Sequence, residues 1–204
     1  MKDFILNNSM NFIIKNKQYS KTDLEKMRYG LASIYLLISK FIIISTLAYF
    51  LNLFQELIIF LIIYNLIRMP SFGLHASKSW ICLITSTIVF ILVPYLCIII
   101  EINTYIKVII ASICTFLLFK NSPADTKKRP IVSQKRRRNY KIITTIIALI
   151  YTLLVIVIDN NFISNGLAFA LIIQAFITAP LVYKIFNLPY NNYKNIVRKE
   201  VTYD

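Results

Sequence analysis

Six runs rich in isoleucine, leucine, phenylalanine and valine, parted by short polar or charged breaks, dominate this chain. They cover residues 31–53, 57–67, 80–100, 105–119, 142–158 and 166–185. Runs of this kind point to a bilayer, where backbone polar groups must be satisfied within the structure itself and helices are the simplest solution. Composition agrees: 57% of the 204 residues are hydrophobic and 16% charged. A soluble domain has about half apolar and about a quarter charged residues. The expected fold is all-α, a polytopic membrane helical bundle that forms a single integral membrane domain over residues 1–204.

Two of these elements depart from an ordinary span. Residues 1–28 hold the patches Phe4-Ile5-Leu6 and Phe12-Ile13-Ile14 among lysines, the pattern of an amphipathic, N-terminal interfacial helix. They lack a short apolar core followed by small residues, so no cleaved signal is expected and the first run stays as an anchor. The run 57–67 is short; at about 1.5 Å per residue it covers roughly half of a hydrocarbon core about 30 Å thick. It is either a re-entrant half-helix or a tilted span lengthened by its flanks.

The formal net charge of +14 comes from basic residues gathered between the runs. If all six runs cross, the amino terminus, the His75 segment, the basic segment 120–141 and the tail share one side. Glu56, Glu101 and Asp159 mark the other. Lys and Arg accumulate on cytoplasmic loops, so a multi-pass cell-membrane protein is expected with both termini and the His75 segment cytoplasmic. The same distribution favours membrane lipids as partners over nucleic acid. The aromatic residues at the run ends, among them Tyr29, Trp80, Tyr140 and Tyr190, read as interfacial anchors. Of three cysteines, Cys97 and Cys114 sit inside apolar runs as small hydrophobes, and no CxxC or Cys/His cluster suggests zinc or a disulfide framework.

The remaining thiol lies close to the only histidine, in Arg68-Met-Pro-Ser-Phe-Gly-Leu-His75-Ala-Ser-Lys-Ser-Trp80-Ile-Cys82. A thiol becomes a nucleophile near neutral pH when a base such as imidazole adjoins it. On an unbroken helix positions 75 and 82 would be about 10.5 Å apart, whereas proton transfer needs about 3 Å or a bridging water. Pro70 and Gly73 supply a break, and Ser77 or Ser79 could cap a helix that begins near Trp80. Cys82 would then lie in a first helical turn, where the dipole favours a thiolate, with Lys78 and Arg68 adding positive potential. Taken alone, a histidine and a cysteine at this spacing read more often as an ordinary loop histidine and a packed cysteine.

The stretch resembles the accessory gene regulator protein B (AgrB) family of Gram-positive quorum-sensing peptide processors. That family carries an arginine, then glycine, one residue, histidine, six residues and cysteine, which fall here on Arg68, Gly73, His75 and Cys82. Glu25-Lys-Met-Arg-Tyr-Gly30 resembles the family's entry to the first span. Pro123-Ala-Asp-Thr-Lys-Lys-Arg-Pro130, with the basic run after it, is similar to its segment of small residues, lysines and proline. The resemblance extends over most of the chain.

It implies a membrane-embedded cysteine endopeptidase with His75 as general base and Cys82 as nucleophile, needing no metal or organic cofactor. The implied substrate is an AgrD-like precursor peptide with an acidic tail, cut through a Cys82 acyl-enzyme and cyclised to a thiolactone. Substrate binding is expected at Arg68, Gly73, Lys127, Lys128 and Arg129, although the last three also read as topology signals facing anionic headgroups. Asn65 or Gln174 could orient the imidazole, or could equally bridge helices. A homodimer is expected, partly from the resemblance and partly because a half-length run and a site needing shelter from lipid are both better accommodated by helix packing across a subunit interface. A transporter subunit or sensor adaptor, and a lipid-modifying transferase, are the competing classes; the first needs no nucleophile at Cys82.

Overall fold

A computed structural model describes residues 2–16, 19–74, 79–126 and 130–193. The described residues are helical almost throughout and separate into two compact units, Met1–Asn52 and Leu53–Asp204. Among the described residues, six helices are long and apolar enough to cross a membrane.

The first unit holds α1 (Lys2–Asn16) and α2 (Lys21–Phe50), which pack together. Ser20 caps α2, its side-chain oxygen accepting from the Asp23 amide at 3.2 Å. Residues 21–28, grouped by sequence with the interfacial segment, therefore continue into the first span-length helix.

The second unit begins with α3 (Phe54–Ser71). The short run 57–67 is lengthened by its flanks to 18 residues, roughly 27 Å at helical rise. Pro70 sits inside the last turn, and the chain leaves the helix two residues later at Phe72. Next come α4 (Ser79–Thr87), a π-helical turn (Ile88–Leu92) and α5 (Val93–Ile99), together one span. Pro94 explains the wide turn: its ring collides with the carbonyl four residues back and has no amide to bond it.

The polar link 101–103 leads into α6 (Thr104–Asn121), whose cap is Asn103, bonding the Tyr105 amide at 2.9 Å. Then α7 (Gln134–Val157) begins well inside the basic segment, capped by Ser133. Lys135, Arg136, Arg137, Arg138 and Lys141 are thus helical, and the basic segment is shorter as a loop than its charges suggest. The last span is α8 (Asn161–Thr178), followed by α9 (Pro180–Ile185). Sequence placed this run at 166–185. The helix starts earlier because Asn160 caps it, and breaks at Ala179 because a residue before proline avoids the α region.

Helix α8 is the hub: 56% of its spanning window is buried, against 28% or less in the other spans. Its Gly166, Ala168, Ala170 and Ala175 let α3, α5, α6 and α7 approach closely. Phe60, Ile67, Leu118, Val155 and Leu171 fill the core. Polar groups buried there bond across helices: Tyr151 Oη donates to the Ile63 carbonyl at 2.6 Å, and Asn165 Nδ2 donates to those of Cys97 and Ile100 at 3.1 and 2.7 Å.

Candidate active site

At the end of α3 the chain turns through Phe72 (φ 58°) and Gly73 (φ 108°) into Leu74. Positive φ at a phenylalanine is strained by about 1–3 kcal/mol and persists only when its surroundings enforce it. Here they do. Arg68 Nη1 and Gln174 Nε2 both donate to the Phe72 carbonyl, the latter at 2.8 Å. Gln174 Nε2 also donates to Ser71 Oγ, which in turn donates to the Ile67 carbonyl at 2.5 Å. The Phe72 ring sits edge-on to Tyr140, centroids 5.1 Å apart.

The next residues are held on both sides. The Gly73 amide donates to the Ala124 carbonyl at 2.8 Å, and the Ala124 amide to the Ser71 carbonyl at 3.1 Å, forming an isolated parallel bridge between Phe72 and Ala124. The Leu74 amide donates to the Ile177 carbonyl at 3.0 Å, and the Leu74 carbonyl accepts from Arg68 Nη2 at 2.8 Å. That carbonyl belongs to the peptide that leads into His75. Arg68 thus uses its planar fork on two loop carbonyls, a task the point charge of a lysine would not perform.

Arg68 and Gly73, expected as substrate contacts, are built into the loop's own scaffold. A Cβ on Gly73 would lie 2.7 Å from Arg68 Nη1 and 2.9 Å from the Ile177 carbonyl oxygen, so glycine is required by space as well as by φ. His75, Ser77 and Lys78 lie outside the described residues, as do Lys127, Lys128 and Arg129. Cys82 is half-buried near the start of α4. Cys97 and Cys114 are buried in the core. Asn65 donates to the Leu61 carbonyl of its own helix, whereas Gln174 bridges α8 to the end of α3. Its other amide atom, Oε1, is buried without a hydrogen-bond partner.

A second polar cluster braces the same end of the unit. Asp125, 1% exposed, accepts from the amides of Ile131, Asn192 and Tyr193 and pairs with Arg137 at 3.6 Å. Arg137 stacks on the Tyr193 ring, 3.7 Å from its centroid. The Tyr183 hydroxyl donates to the carbonyls of Ala124 and Asp125, both at 3.3 Å, and burial pushes its pKa well up, so it remains a donor. Tyr190, expected as an interfacial anchor, packs against Tyr183 and donates to the Asn121 carbonyl. Sequence reasoning passed over Asp125, Tyr183 and Asn192 in these roles. The available signal was an acid inside the small-residue block 123–126.

A family profile for accessory gene regulator B matches residues 6–178. A putative AgrB-like protein of Clostridium acetobutylicum is 28% identical, over 90% of this chain and 88% of its own length. The accessory gene regulator protein B of Staphylococcus aureus strain MRSA252 is 36% identical over 78% of this chain and 83% of its own, and that of strain Newman 33% identical over 78% and 82%. No solved structure matches. By the extent of these matches, and by the arginine–glycine loop that precedes its histidine and cysteine, the chain belongs to the accessory gene regulator B family.

Proposed function

We propose that this protein is a membrane-embedded cysteine endopeptidase of quorum sensing that removes the acidic tail of an AgrD-like precursor and promotes thiolactone closure. One observation supports the reading: Arg68 holds the Phe72 and Leu74 carbonyls and so fixes the loop up to the residue before His75, on the chain that runs on to Cys82.

In this account His75 accepts the Cys82 proton as the sulfur attacks the carbonyl before the tail. The carbon–nitrogen bond breaks, His75 returns the proton to the leaving amine, and the precursor is held as a Cys82 thioester. A cysteine of the precursor then takes the acyl group, which closes the thiolactone and frees Cys82. Exchange of one thioester for another is nearly isoenergetic, and a site against the bilayer limits competing water. Arg68 and Gly73 serve substrate binding by shaping the loop. Lys127, Lys128 and Arg129 are assigned to the acidic tail.

The working form is a homodimer in the cell membrane, with both termini and the active-site loop cytoplasmic. Cleavage of a synthetic precursor by protein in vesicles tests the reading. Cys82→Ala and His75→Ala abolish it, while Cys97→Ala and Cys114→Ala keep most of it. The reverse pattern among the cysteines rejects the assignment.

A further inference from the structure

A cavity of about 540 Å³ opens at the end of the second unit that carries the Phe72–Leu74 loop, on the side formed by α6, α7 and the segment after α9. Four cationic residues line it: Lys120 from the last turn of α6, and Arg137, Arg138 and Lys141 from the first two turns of α7. Among the described residues no carboxylate lines it; Asp125, the ion-pair partner of Arg137, is buried and engaged by three backbone amides. One further feature marks it as built to receive an acceptor. Ser122, a lining residue 5% exposed, has a buried hydroxyl without a hydrogen-bond partner. Arg137 is held at the wall, Nη1 against Asp125 at 3.6 Å and Nη2 donating to the Pro123 carbonyl at 3.5 Å. A buried hydroxyl left unbonded costs about 1–3 kcal/mol, so a ligand that supplies oxygens is favoured there.

The placement selects the kind of ligand. Lys120 and Lys141 stand where two span-length helices leave the apolar zone, and the next residue inward on each is exposed and apolar: Phe119 at 50% and Ile142 at 47%. Lys141 Nζ lies over the Phe119 ring, 4.5 Å from its centroid, joining the charged rim to the apolar face. A ligand with a phosphodiester above and hydrocarbon below meets both surfaces; a soluble acidic peptide meets only the first. We propose that this cavity binds the headgroup of an anionic phospholipid, with Ser122 and Arg137 at its floor and Lys120, Arg138 and Lys141 at its rim. The site is independent of the proteolytic reading and draws on none of its residues.

The test is lipid retention by the full chain, purified in mild detergent and measured by native mass spectrometry with phosphatidylglycerol, phosphatidylcholine or inorganic phosphate added. Wild type retains phosphatidylglycerol in preference to phosphatidylcholine, and its Tm rises with the former. The variant Lys120→Gln/Arg138→Gln/Lys141→Gln loses that preference by roughly tenfold or more, since basic side chains near a headgroup act together. Lys135→Gln/Arg136→Gln/Lys184→Gln removes as much charge from residues that do not line the cavity and retains the preference. Ser122→Ala removes a hydroxyl and no charge; it weakens retention and serves as the test if the first variant does not fold. Equal losses in the two triple variants would mean diffuse attraction and overturn the proposal. So would stabilisation by inorganic phosphate alone to the full extent given by the lipid. Cavity-dependent binding of an acidic peptide without any of phosphatidylglycerol would overturn it in favour of a peptide site.

Discussion

The Gly73 amide donates to the Ala124 carbonyl at 2.8 Å, joining the loop before His75 to the segment that runs into Lys127. Two stretches far apart in sequence are thereby one piece of structure. Any residue that fixes the first also sets where the second begins.

Gly73→Ala is the sharpest probe of that join. The new Cβ meets Arg68 Nη1 and the Ile177 oxygen, and alanine resists φ near 108°. Precursor cleavage should fall roughly tenfold or more, because small displacements of catalytic groups are costly. The bundle core is untouched, so membrane insertion and yield should stay near wild type. Cleavage at the wild-type rate would show that the loop's shape is not required.

Arg68→Lys keeps the charge but cannot bond both the Phe72 and Leu74 carbonyls. We expect kcat to fall several-fold to tenfold with KM little changed, the split expected of a positioning residue. A rise in KM alone would point to direct substrate contact. Gln174→Leu should behave likewise, since it removes the donor to Ser71 and Phe72 while keeping the core volume.

Asp125→Ala leaves three amides without their acceptor and Arg137 without its charge partner. Removal of one member of a buried pair costs about 3–5 kcal/mol. A clear drop in Tm in detergent is the expected reading; an unchanged Tm would contradict the bracing role given to this cluster.

Replacing Lys127, Lys128 and Arg129 with glutamine tests their assignment to the acidic tail. Apparent KM should rise by roughly tenfold to a hundredfold, as three exposed contacts of up to about 1 kcal/mol each allow. A precursor with neutralised tail acids should lose the same affinity in wild type and little more in the variant. If the variant processes both precursors as wild type does, the triplet serves topology alone.

Much of the fold was legible because apolar runs are local signals; the caps Ser20, Asn103 and Asn160 are as local but were passed over, so the starts of α2 and α8 were misplaced. The end of the run 166–185 misled because hydrophobicity continues through Ala179 while the backbone turns at Pro180. The pair His75 and Cys82 was legible as a motif. The bonds that shape its loop were not, because Gln174, Ala124 and Ile177 reach it from distant elements. Arg68 read as a charge for substrate or sulfur, since nothing in sequence reveals that its fork meets two carbonyls of its own loop. Asp125 was hidden for the same reason: its partners Asn192 and Tyr193 come from beyond α9.

The central claim is a covalent intermediate on Cys82. Wild-type protein in vesicles, mixed with precursor and quenched in acid, should carry the tail-free peptide as a hydroxylamine-sensitive adduct on the fragment containing Cys82, detected by mass spectrometry. His75→Ala should not accumulate it. An adduct on Cys97 or Cys114, or cleavage that persists in Cys82→Ala, would contradict the account.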